Sequence, residues 1–191
     1  MKTQVKSIKM KIYLLLAVLL ASVCGFSQKR YFTKTGHISF TAGTALEDID
    51  GDNKAASSVF DAATGQIEYA VLIKGFEFKR ALMQEHFNEN YLESDKYPKS
   101  VFKGIIVNLD KINFQKDGTY QATIKGTLEI HGIKKEIETS GTMKVNGETV
   151  QAIAAFTVLL SDYNISIPGL VKDKISKTAT VKVNCNYSVL K

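Results

Sequence analysis

The sequence predicts an all-β chain, an antiparallel barrel or sandwich of about eight strands with one helix inserted near residues 79–92. Three observations carry that prediction. Apolar and polar residues alternate with period two over most of the chain beyond residue 28, which gives each strand one core-facing side. Turn dipeptides separate these runs at hairpin spacing. A single segment, KRALMQEHFNENYL, breaks the alternation with a helical period.

The N-terminal strands are the rougher ones, at about residues 30–42, 54–61, 66–78 and 101–109. Thr64-Gly65 turns the chain between the second and third. The 66–78 run is apolar on both faces, with Tyr69, Val71 and Ile73 on one and Ala70, Leu72, Phe76 and Phe78 on the other. A slip of one residue in these strands would exchange inside for outside. Residues 79–92 read as helix because Met83, Phe87 and Tyr91 recur every four residues as one stripe, with Leu82 beside it. Ser94-Asp95 and Pro98 end that helix.

The C-terminal strands are cleaner. Asp117-Gly118 precedes Tyr120, Ala122, Ile124, Leu128 and Ile130, with Gln121, Thr123, Lys125, Thr127 and Glu129 between them. His131-Gly132 begins the next turn, and Ile137, Thr139, Gly141, Met143 and Val145 follow. Asn146-Gly147 is a hairpin turn. Residues 150–160 and 181–189 alternate in the same way, while 161–177 has no regular period and stays unassigned. Small residues at inward phases (Ala122, Gly126, Gly141, Ala152, Ala154) make room inside a barrel.

The first 27 residues read as a secretory signal peptide. Lys2, Lys6, Lys9 and Lys11 form a basic start, and residues 12–23 form an apolar run too short for a membrane span of roughly 20 residues. Gly25 and Ser27 stand at the small-residue positions for cleavage before Gln28. Removing four lysines and no acidic residue takes the net charge from +6 to +2. A basic footprint for nucleic acid is thereby lost, and the domain is expected over residues 28–191 with no stable span of its own. Cys24 leaves with the signal, and Val23 before it fits a lipoprotein box poorly. Cys185 then has no intramolecular disulfide partner.

No catalytic motif or cofactor loop appears, and His37, His86 and His131 lack metal-ligand spacing. Glu85, His86 and Glu89 read as a solvated helix face, and His37 and His131 as structural or turn residues. The EDIDGDN segment (47–53) alternates acids like a fragment of a calcium loop but lacks its helical context, so it reads as a solvated turn. No cofactor or metal is expected.

Several stretches resemble the YceI-like family of exported lipid-binding proteins. LMQEHFNENYLESDKYPKSVFKG (82–104) resembles its helix and the strand that follows. GTLEIHGIKKEI (126–137) resembles its hairpin, DYNISIPGLVKDKISKTATVKVN (162–184) its closing segment, and GHISF (36–40) its first strand. The Asp-x-x-His-Ser element and the Arg-Asp-His run of other members are absent, the latter replaced by Lys79-Arg80-Ala81. The resemblance implies a lipocalin-like antiparallel barrel with a long apolar tunnel. The implied ligands are polyisoprenoids, isoprenoid quinones or fatty-acid derivatives.

The expected function is therefore sequestration of a long-chain amphiphile by an exported, non-catalytic barrel. Phe76, Phe78, Phe102, Ile106, Phe156 and Val158 are the candidate tunnel walls. Met83, Phe87 and Tyr91 would pack the helix over the barrel, near its mouth, and His86 and Tyr163 are candidate head-group contacts. The alternatives are a filled-core protein-interaction module, and an enzyme acting on a lipid through His86 or His131. The oligomeric state is left open, a homodimer included.

Overall fold

The computed structural model describes residues 29–190, so the predicted signal peptide and Cys24 lie outside the described residues. Eight antiparallel strands form a closed barrel in simple sequential order. They are β1 (Arg30–Gly43), β2 (Asp50–Asp61), β3 (Gln66–Leu72), β4 (Lys99–Ile106), β5 (Gly118–Ile130), β6 (Ile133–Asn146), β7 (Thr149–Leu159) and β8 (Ile175–Val189). Pairing of β1 with β8 closes the ring and removes the free edges of an open sheet. The 43–50, 72–99, 130–133 and 159–175 connections share one end of this meander, called the upper end below.

Period-two alternation decides which side of each strand enters the barrel. On β5, Ala122 and Leu128 are buried while Gln121 and Lys125 face water. Hairpin chemistry fixes the register. Ile130 pairs with Ile133, and the two residues between them, His131 and Gly132, have φ of 52° and 73°, as a type I′ loop demands. The following hairpin turns on Gly147 and Glu148, one residue later than the Asn146-Gly147 signal implies. Asn146 is the last paired residue, and Gly147 takes the positive φ of 57° at the first loop position. At the middle of the wall, Gly104 pairs with Gly126 because a Cβ on Gly126 would lie 2.3 Å from the Lys103 carbonyl oxygen. Gly126 thus serves close backbone approach and not cavity space.

Three features depart from the sequence reading. β3 ends at Leu72, and a 3₁₀ turn (Ile73–Gly75) follows before Glu77 re-pairs with Asp52 of β2. The turn breaks the alternation. Phe76 consequently joins Tyr69, Val71 and Ile73 on the inner side, while Leu72, expected on the same face as Phe76, is 62% exposed. The expected single helix is a short α1 (Ala81–His86) that widens into a π-turn (Phe87–Tyr91). Phe87 N–H still bonds the Met83 carbonyl as in an α-turn, and the widening falls between Phe87 and Leu92, so it is Tyr91 that leaves the stripe. Finally, only the first part of the acidic segment is a turn. Asp50 opens β2, and Asp52 lies 2.5 Å from His37 Nε2 across the pair.

Two pairs of neighbouring strands separate towards the upper end. The β2–β3 ladder runs only from Ser57–Ala70 to Phe60–Ile67. Above it the buried Asn53 seals the seam by donating to the Leu72 carbonyl at 2.9 Å. The β6–β7 ladder stops at Gly141–Ala154, leaving residues 133–140 of β6 paired with β5 alone and 155–159 of β7 paired with β8 alone. A 3₁₀ turn (Leu160–Tyr163) touches β6, β7 and β8 beyond this fork.

Candidate ligand cavity

The lower third of the barrel is filled. Tyr31 and Phe60 stack at 4.7 Å, Phe114 tilts against both, and Tyr187 meets Phe60 edge-on at 5.0 Å. These side chains form an aromatic plug. Above it the interior is hollow. The cavity has a volume of about 190 Å³, rising to about 1330 Å³ of atom-free space when its open end is included. An enclosed space of about 150 Å³ already admits a benzene-sized guest. The enclosed part therefore suits one segment of a chain, and a longer molecule must run out through the open end.

The roof is aromatic. Phe87, at the junction of α1 and the π-turn, lies 5.4 Å from Phe40, 5.5 Å from Phe76 and 4.9 Å from Phe78. Two polar clamps tie the upper loops around it. Glu47 accepts from Arg80 and pairs with Lys174 at 3.3 Å, joining the β1–β2 loop, the start of α1 and the β7–β8 connection. Arg80 first and Lys174 second hold the Glu47 carboxyl below the usual carboxylate range. His131 donates Nδ1–H to the Tyr163 carbonyl at 3.0 Å and meets Glu93 through Nε2 at 2.8 Å, while its ring lies 4.7 Å from Tyr97.

The side opening follows from the fork. Beyond Gly141–Ala154 the wall consists of Ile137 and Thr139 on one strand and Phe156 and Val158 on the other, without a ladder between them. Ile137, Thr139 and Phe156 lie in the inward phase yet are only half-buried, so solvent reaches the lining beside the fork. A Cβ on Gly141 would lie 2.5 Å from the Ile153 carbonyl oxygen, which keeps the two strands close where the fork begins.

The cavity's chemistry is uniform. Among the described residues no Lys, Arg, His, Asp or Glu lines it. Ser100 spends its hydroxyl hydrogen on the Glu129 carbonyl at 2.6 Å. Tyr69, between Ile67 and Val71, is joined to the plug through Tyr187, whose hydroxyl lies 2.8 Å from its own. Burial pushes both phenols upward. Such a lining disfavours ions and favours apolar matter. Among the described residues no group of three potential metal ligands converges, and no helix is long and apolar enough to cross a membrane.

Of the candidate wall residues, Phe76, Phe102, Ile106, Phe156 and Val158 border the cavity, as does Phe87 from the helix stripe. Phe78 stands one layer back, against Phe40 and Phe87. Met83 faces a surface pocket beside Leu46, Glu47 and Arg80. Tyr91 is half-buried in the upper core, and His86 is exposed at the end of α1. Tyr163 is buried behind the wall, where burial, with Asp162 nearby, raises its phenol. Its backbone, and not its hydroxyl, meets His131. Residues not singled out beforehand include Ile38, Phe40, Leu92, Ile165 and Val181. The alternation of GHISF carries the signal for the first two.

Comparison with known proteins agrees with this architecture. A polyisoprenoid-binding domain from Saccharophagus degradans, implicated in plant cell wall breakdown, superposes with a TM-score of 0.74 at 12% identity, covering 86% of this chain and 100% of that one. Burkholderia cenocepacia BcnA gives 0.66 at 15% identity, over 79% of this chain and 95% of that one. The Campylobacter jejuni YCEI protein gives 0.52 at 17% identity, over 74% and 84%. No curated protein matches the sequence. The family model of the YceI-like domain matches residues 22–187, nearly the whole barrel, and the chain belongs to the YceI-like family.

Proposed function

We propose that the barrel binds a long-chain amphiphile, a polyisoprenoid, isoprenoid quinone or fatty-acid derivative, and holds it without making or breaking a bond. The observation that carries this reading is a hollow upper barrel whose wall holds no charged side chain and which opens to the surface at the β6–β7 fork. The polyisoprenoid-binding domain of S. degradans, built on the same fold, supports the same ligand class. Phe76, Phe102, Ile106, Phe156 and Val158 serve as the wall, with Phe87 as the roof. Phe78 acts behind it, and Met83 and Tyr91 hold the helix in place.

Burying roughly 400 Å² of apolar ligand surface gains about 10 kcal/mol gross at about 25 cal/mol/Å². Association and ordering offset at least about 4 kcal/mol of that. The remaining 6 kcal/mol or so corresponds to a Kd of tens of micromolar, and each further buried methylene tightens it about fourfold. Chain length is thus the main determinant of affinity until the open end is filled.

Residues 1–27 act as an export signal in this reading, cleaved before Gln28, so that the domain works in the periplasm or outside the cell. Their basic start, short apolar run and small residues support it. The experiment is displacement of an environment-sensitive apolar dye from the purified domain by ubiquinone, a polyprenol and a fatty amide, each at several chain lengths. The expected result is saturable displacement that strengthens with length. Dye binding with no displacement by any of them refutes the reading.

A further inference from the structure

The upper end of the barrel carries apolar side chains that the core does not use. Among the described residues the four most exposed large apolar side chains are Leu170 at 99%, Leu46 at 72%, Leu72 at 62% and Leu82 at 61%, and no other exceeds 48%. All four belong to the upper end. Leu46 is in the 43–50 loop, Leu72 ends β3, Leu82 is in the first turn of α1, and Leu170 is in the 159–175 connection. Single leucines scattered over a surface need no account, but their confinement to one end does.

Three of the four are fastened to one another. Thr44 donates to the Asp173 carbonyl at 2.8 Å, Lys174 pairs with Glu47 at 3.3 Å, and Arg80 donates to the same carboxylate. The loop of Leu46, the connection of Leu170 and the start of α1 therefore form one rim. The turn that carries Leu170 (Gly169–Val171) projects from it, since a Cβ on Gly169 would meet nothing within 4 Å. A protein partner packs against a continuous, closely fitted patch. Separate projecting tips suit a surface that deforms around them, as the interface of a bilayer does. The rim has no strong field of either sign, because Lys79, Arg80, Lys172 and Lys174 are offset by five acidic side chains within four residues of the three tips. Its attraction is apolar, and the lysine and arginine stems can lie along acyl chains with their heads in water. The fork lies at this same end: β7 forms one side of it and runs on into the connection that carries Leu170.

We propose that the upper end docks on a lipid bilayer: Leu46, Leu82 and Leu170 enter its interface and hold the β6–β7 fork beside it, where a chain passes between bilayer and cavity. This rests on the amphiphile-binding reading above and adds the surface with which the cargo is exchanged. A long apolar chain then avoids the cost of crossing water.

The test is flotation of the domain beginning at Gln28 with vesicles of phosphatidylcholine alone and of phosphatidylcholine with phosphatidylglycerol, at low and high salt. Displacement of the apolar dye by a fatty amide is measured in parallel. Wild-type protein floats with both vesicles, with little effect of salt. Leu170→Ser lowers its partition about tenfold, and the L46S/L82S/L170S triple variant lowers it at least about 100-fold. Leu190→Ser, at the lower end, leaves it unchanged, and dye displacement keeps wild-type affinity in all three variants. Wild-type protein that does not float, or floats only with the anionic vesicles at low salt, overturns the docking rim. Flotation that survives Leu170→Ser and the triple substitution overturns it too. So does a wild-type dimer in sedimentation that Leu170→Ser dissociates, since a second copy then covers the leucines. In each of these cases intact dye displacement leaves the cavity reading standing. Flotation without any displacement refutes the cavity reading and, with it, the exchange of cargo at the rim.

Discussion

Replacing Phe156 with aspartate places a carboxylate on the wall beside the fork, where no cation lines the cavity. Phe156 is half-buried and pairs with Val181 on β8. In the empty barrel water reaches the new carboxylate through the opening, so the fold tolerates it. A bound chain displaces that water and leaves the charge against hydrocarbon. Stripping a polar group in this way costs roughly 2–7 kcal/mol. Taking about 3 kcal/mol for a site that keeps part of its solvent, Kd rises about 100-fold. Binding then favours the protonated acid, so the carboxyl of the complex titrates above that of the free variant and affinity recovers as pH falls. Phe156→Leu keeps an apolar wall and changes Kd less than about fivefold. The assay is dye displacement by a fatty amide at pH 7.5 and pH 5, with circular dichroism to establish folding. Folded Phe156→Asp protein that binds with wild-type affinity at pH 7.5 would refute this placement of the wall.

Phe87→Ala removes the side chain on which Phe40, Phe76 and Phe78 converge, and for this half-buried position should cost about 2–4 kcal/mol by urea unfolding; a loss under about 1 kcal/mol would mean that the roof packs without it. The Glu47 carboxyl, held low by Arg80 and then Lys174, contributes its clamp above the ordinary glutamate value of about 4.3 and loses it as pH falls through the lower folded value. Hydrogen-exchange protection of residues 44–49 should therefore drop in acid, and Glu47→Gln should abolish that step; a pH step unchanged in the variant contradicts the clamp. Burial pushes the Cys185 thiol up to about 11, against the backbone N–H of His37, which favours the thiolate. Alkylation by iodoacetamide at pH 8 should be on the order of 100-fold slower in the folded than in the unfolded chain, and comparable rates would show that the lower core opens.

Where a stretch of sequence obeys one period, it reveals its structure. Residues 118–130 and 137–146 alternate, interrupted between them by Lys134-Lys135-Glu136, and their strands, faces and first turn were legible. The 66–78 run also looks continuous, yet the 3₁₀ turn at Ile73–Gly75 inserts a change of phase. That change brings Phe76 to the wall and leaves Leu72 outside. A strand reading carries Phe76 and Phe78 together and has no means of separating them. The helix stripe was legible as far as Phe87, which shares an α-helical face with Met83 and packs against Phe40, Phe76 and Phe78; the π-turn that follows adds a residue to the period and takes Tyr91 out of phase.

The fork is invisible in the sequence for a different reason. Ile137, Thr139, Phe156 and Val158 keep their alternation whether or not the two strands pair, because side-chain phase does not record the partner of the backbone. The clamps and the polar chain are long-range. His131 meets a residue 38 positions away, and Tyr187 meets Tyr69 across 118. Tyr69 reads as one more inward aromatic until the barrel closes and brings Tyr187 against it.

The central claim is that the hollow upper barrel holds one long-chain molecule. Native mass spectrometry of the domain beginning at Gln28, exported and purified without detergent, tests it most directly, with organic extraction to identify what is released. The account predicts a stoichiometric adduct of a long-chain lipid, or its formation when a quinone, polyprenol or fatty amide is added. A bare protein mass that stays bare with all three would contradict it.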